Sequence, residues 1–162
     1  MMKYLLMASI LTFLSVVTCA AQTQQALDKD QITEVTLERT ACYGTCPIYK
    51  VTLSSDGTII YEGERFVQMM GTYKGTAYGF DRLAKLILAE NYFNLKDEYT
   101  RPITDMPSAV TSVVRGGKRK TIVDYAGTGP VELWGIEMVI DGMLKNARLD
   151  KVEAQPVRPP RK

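Results

Sequence analysis

Cys42 and Cys46 enclose Tyr43-Gly44-Thr45, with Pro47 directly after them, and this stretch constrains the chain's fold more than any other. It lies between two runs of strand character. Residues four apart in an extended chain are about 13 Å apart, whereas a disulfide needs Cα atoms roughly 4.4–6.8 Å apart, so a bridge here demands a tight bend. Gly44 offers backbone angles closed to larger residues, and Pro47 biases Cys46 toward an extended shape. A structural Cys42–Cys46 disulfide is the first reading. Closing so small a ring is worth about 2 kcal/mol in the chain-entropy model, enough to pin a bend but not to hold a domain.

Thiol chemistry is the alternative, as a thiol-disulfide oxidoreductase or redox sensor using the same two cysteines. C-x-x-x-C-P also resembles the copper-handling motif of thioredoxin-like assembly factors, but those place it at the start of a helix, where the dipole stabilises a thiolate. Here Ile48-Tyr49-Lys50-Val51 reads as strand. The chain has no histidine. That removes the copper motif's histidine ligand, the usual general base and the Ser-His and Cys-His pairings. Two thiolates alone leave a tetrahedral zinc site half filled. No catalytic residue, metal ligand or cofactor is assigned.

Residues 1–21 carry Lys3, an apolar run from Tyr4 to Val17, and then small residues, the pattern of a secretory signal. Val16-Val17-Thr18-Cys19 resembles a bacterial lipobox, which would make Cys19 a lipidated first residue. Cleavage after Ala21 would instead yield a soluble protein. Both take Cys19 out of the disulfide inventory, by lipidation or by removal, leaving Cys42 and Cys46 to pair, and both imply export to the periplasm, to an outer-membrane anchor or beyond the cell. Such oxidising compartments suit a disulfide. The remaining length fits one domain, expected over residues 32–149, with a flexible tether over 22–31 and a basic proline-bearing disordered tail over 150–162. A formal charge of +2 without a basic and aromatic cluster gives no sign of a nucleic-acid partner. A membrane enters only through the possible lipid anchor.

Within the domain, Val35 and Leu37 alternate with polar residues as in a half-buried strand. Tyr49–Leu53 and Thr58–Tyr61 form a hairpin across Ser55-Asp56-Gly57, and 110–114 and 121–125 form another through Gly116–Arg119. One further strand is expected around 71–77. Phe80–Phe93 reads as an amphipathic helix, residues 94–107 as a long loop, and the segment opening at Gly129-Pro130 as a second helix with Leu133, Ile136, Ile140 and Met143 as its apolar stripe. The expectation is an α+β fold: one mostly antiparallel sheet of five to six strands, with both helices on one face.

The stretch Arg39–Tyr49, with Asp56-Gly57-Thr58, Tyr61-Glu62-Gly63 and Thr104-Asp105-Met106-Pro107, resembles an uncharacterised bacterial domain family marked by C-x-G-x-C-P-x-Y. The resemblance makes Tyr43, Gly44, Pro47 and Tyr49 motif residues and implies an exported protein or lipoprotein, with no activity to carry over.

Asp97, Glu98 and Asp105 are candidates for paired carboxylates, though loop solvation explains them as well. The tyrosines at 43, 49, 61, 73, 78, 92, 99 and 125 offer a platform for glycan or peptide, or fill the core. Trp134 is expected to pack. Together these features point to a non-enzymatic binding or interaction module at the cell envelope, its partner a protein, peptide or glycan.

Overall fold

A computed structural model describes residues 30–153. The tether up to residue 29, Cys19 and the tail beyond 153 lie outside the described residues. Among the described residues there are eight strands: β1 (Ile32–Arg39), β2 (Ile48–Ser54), β3 (Thr58–Arg65), β4 (Gly71–Thr76), β5 (Glu98–Tyr99), β6 (Ser108–Arg115), β7 (Lys118–Tyr125) and β8 (Arg148–Lys151). They form one sheet in the order β5-β7-β6-β1-β2-β3-β4-β8. Every pairing is antiparallel except that of β5 with β7. Helices α1 (Phe80–Ala89) and α2 (Val131–Lys145) complete the α+β fold.

The alternation read in the sequence decides which face is covered. Val35, Leu37, Val51, Leu53, Ile59, Val113 and Ile122 share one face in register and are fully buried against Phe80, Leu83 and Ile87 of α1 and Leu133, Ile136 and Ile140 of α2. Burying side chains of this size contributes about 1.5–3 kcal/mol each, so this layer supplies most of the driving force. The opposite face carries the cross-strand row Glu38, Lys50, Glu62 and Thr72, all exposed.

Both hairpins form where expected. Gly57 takes φ +83°, and the Asp56 carboxylate accepts the Thr58 N–H at 2.8 Å. The second turn is tighter than expected: Gly116 and Gly117, at φ +56° and +74°, make the whole loop, and Lys118 and Arg119 already belong to β7.

The strand count exceeds the expected five to six because two very short strands escape a periodicity test. β5 arises inside the expected long loop, where Val123 donates its N–H to the Asp97 carbonyl. β8 follows α2 along the free edge of β4 and runs into the segment expected to be tail. Its alternation is too brief to read. The first helix is shorter than expected. It ends at Ala89, Asn91 turns left-handed at φ 52°, and the 3-10 turn Tyr92–Asn94 drives Tyr92 into the core, its hydroxyl 3.0 Å from Thr111 Oγ1.

Candidate functional site

The register places four of the longer loops at one end of the sheet. Arg39 at the end of β1 faces Tyr49 near the start of β2 and Ala109 near the start of β6, while Gly63 near the end of β3 faces Gly71 at the start of β4. The loops 40–47, 66–70, 100–107 and 126–130 therefore gather there. The tight turns lie at the opposite end.

The cysteine bend is the first of these loops. Cys42 and Cys46 are joined as a disulfide with Cα atoms 5.8 Å apart, within the span a bridge tolerates. Pro47 leads straight into β2, so neither sulfur sits at a helix N-terminus. Gly44 is not used as expected. Its φ is not positive, an added Cβ would meet only Cys42 Sγ at 3.8 Å, and what it supplies is an N–H to that sulfur at 3.3 Å. The bend is tied to the long loop: Tyr43 N–H reaches the Asp105 carbonyl at 3.1 Å, and Thr40 Oγ1 accepts the Ser108 N–H at 2.8 Å. At its tip Tyr43 is 90% exposed.

Other large apolar side chains lie on the loops at this end of the sheet. Phe66, Met70, Ile103 and Met106 are exposed in the same loops. Of four non-glycine residues with left-handed φ among the described residues, three lie here: Phe66 at 57°, Asp105 at 66° and Ala126 at 58°. For a bulky residue such as Phe66 this geometry is strained, on the order of 1–2 kcal/mol. Beside the bend on the helix-covered face is a cleft of about 570 Å³ lined by Pro47, Tyr49, Tyr61, Phe66, Met69 and Leu144, with Asp141 also on its wall. Tyr49 and Tyr61 stand with ring centroids 5.7 Å apart, and Tyr73 continues the row at 6.1 Å from Tyr61.

A polar cluster joins the bend to α2. Arg39 donates to Glu137 Oε2 at 3.0 Å and to Asp141 Oδ2 at 2.8 Å, and the Tyr49 hydroxyl donates to Asp141 Oδ1 at 2.6 Å. Asp124 on β7 is buried and accepts the Gly129 N–H at 2.8 Å. The Glu137 side chain is only 3% exposed, and its Oε1 has no hydrogen-bond partner. Burial is the largest influence on that carboxyl and pushes it up to about 7. Arg39 opposes this, and the Asp124 charge reinforces it. Tyr49 is raised by burial and then by Asp141. Arg39 sits above its ordinary value, since Asp141 and Glu137 outweigh the pull of burial.

Of the motif residues, Pro47 and Tyr49 thus meet at the cleft, Tyr43 and Gly44 at the exposed tip, and the two cysteines beneath it. Arg39, Glu137, Asp141 and Asp124 went unassigned in the sequence reading, although a signal existed. Arg39 continues the inward alternation of Val35 and Leu37, and Glu137 lies four residues after Leu133 and three before Ile140, a charge inside an apolar stripe. The acidic candidates in the long loop do not converge. Asp97 pairs with Lys120 at 2.6 Å, whereas Asp105 serves the bend through its carbonyl. The tyrosines divide: Tyr61 and Tyr92 are buried, Tyr43 and Tyr78 exposed. Trp134 does not pack as expected and is 54% exposed, because it follows Leu133 by one residue, about 100° around the helix.

Fold and site together define a small disulfide-pinned α+β domain with a loop-built cleft at one end of its sheet. The chain belongs to the family described as Domain of unknown function (DUF6438), whose model matches residues 33–144, from β1 to the end of α2. No curated protein matches it.

Proposed function

We propose that this is a non-enzymatic binding module of the cell envelope that recognises an apolar peptide segment of a partner protein through the loop end of its sheet. One observation carries the reading: Tyr43, Phe66, Met70, Ile103 and Met106 are all exposed on the loops at one end of the sheet, where Phe66 lines a cleft walled by Tyr49 and Tyr61. Scattered exposed apolar residues are ordinary, but a clustered set beside a concavity favours recognition. The disulfide contributes pre-organisation, since a tyrosine held on a rigid bend loses little freedom when it docks. Envelope location rests on the signal-like N-terminus. The bend's entry into a strand rather than a helix favours a structural disulfide over thiol exchange.

Two-dimensional NMR of the oxidised chain tests the reading, with the capped tripeptide acetyl-Leu-Phe-Ala-amide and chitotriose as probes. The peptide should give saturable shifts in residues 66–69 and 144–149 that Phe66→Ser weakens severalfold. Saturation by chitotriose alone would transfer the site to glycans, and no saturable shift from either probe would remove the proposed function.

A further inference from the structure

Arg39 and Tyr49 are the two stems of the cysteine bend. They face each other across β1 and β2, and residues 40–48 hang between them. Both stems are held from the helix layer by one side chain, Asp141, and Arg39 is held a second time by Glu137. Glu137 feels the charges of two other carboxylates, Asp141 on α2 and Asp124 on β7, besides the Arg39 guanidinium that it binds. With all of them ionised the cluster carries two uncompensated negative charges in a largely buried site, an arrangement that favours uptake of one proton. Tyr92, beneath α2, also feels the Glu137 charge, but its hydroxyl is engaged with Thr111. Asp141 uses both oxygens, and Asp124 Oδ1 holds the Gly129 N–H. Glu137 Oε1 is buried and free of any partner, so it can take a proton without breaking an existing bond.

We propose that Glu137 is a proton-operated clamp on the disulfide bend. When Glu137 is ionised, Arg39 is gripped by both α2 carboxylates, and the β1 stem is fixed to the helix. When it is protonated, Arg39 keeps a full charge partner only in Asp141, and the stem, the bend and Tyr43 shift together. The raised carboxyl places this change near neutrality, where small differences in acidity between compartments act on it. The clamp regulates the surface assigned above and depends on that reading only for its use. The motion itself is measured without any ligand.

The experiment follows the Glu137 side-chain carboxyl by carbon-13 NMR in the full chain from pH 5 to 8.5, together with the amides of Cys42, Gly44 and Cys46. The bend amides should titrate with the same midpoint as the Glu137 carboxyl, near pH 7, and lose that titration in Glu137→Gln, while Lys118 at the opposite end stays flat in both. A Glu137 midpoint below pH 5, bend amides that stay flat while Glu137 titrates, or a bend titration that survives Glu137→Gln would each overturn the clamp. Should Glu137→Gln fail to fold, the agreement or disagreement of midpoints in the unaltered chain decides alone. Failure of the peptide titration with an intact clamp would remove the binding function and leave the device standing.

Discussion

Replacing Glu137 by glutamine should make the domain more stable at pH 8 and leave it nearly unchanged at pH 5. In the folded chain this carboxyl titrates near 7, against an ordinary value of 4.5. Between those values the native state holds a proton that the unfolded chain has released, so stability is greatest below about pH 4.5 and is lost as pH rises through 7. At 1.36 kcal/mol per pH unit the full change is about 3 kcal/mol, and the side chain is too buried for solvent to screen much of it. Glutamine keeps the shape, retains an oxygen for Arg39 and never ionises. Other carboxylates add their own pH dependence, so the informative quantity is the difference between the two proteins. Urea unfolding at pH 5, 6, 7 and 8 should give curves that coincide at the acid end and separate by about 2–3 kcal/mol at the alkaline end, roughly 10 °C in melting temperature for a domain of this size. Curves that stay parallel over the whole range would refute the argument, because they would mean that Glu137 is ionised throughout.

Three further outcomes follow from the same geometry. Tyr49→Phe deletes the hydroxyl that donates to Asp141 at 2.6 Å and should lower stability by about 1–2 kcal/mol in thermal unfolding; no loss would mean that this bond is not made in solution. Cys42→Ser with Cys46→Ser should cost about 2 kcal/mol while leaving the far-ultraviolet circular dichroism of the sheet intact, whereas complete unfolding would show the bridge to be more than a local pin. Gly44→Ala should change stability by less than about 0.5 kcal/mol, while Gly75→Ala should be severe, because its Cβ would run into the Arg148 carbonyl where β4 meets β8. Equal effects in the two glycine variants would contradict the backbone described here.

What the sequence made legible was what period and turn chemistry can carry. The alternation through Val35 and Leu37, the glycine turns and the 133-136-140 stripe all mark elements that the structure contains. β5 and β8 were not legible, since two and four residues hold no period and only tertiary pairing makes them strands. The disulfide could be read because its partners lie close along the chain. The polar cluster was harder, as Arg39 and Glu137 are 98 residues apart and only the packing of α2 on the sheet joins them. Gly44 misled because glycine at a bend suggests left-handed backbone, whereas this bend needs only its N–H.

β8 also bears on how the chain avoids sticking to itself. Before residues 148–151 take their place, β4 presents open N–H and C=O groups that any passing extended segment could pair with. This piece is the last regular element among the described residues, so a molecule in which synthesis has only reached α2, or one clipped after it, carries the longer open margin of β4. These four residues therefore replace a six-residue open edge with a four-residue one, and so short a margin is a poor template for intermolecular strand addition.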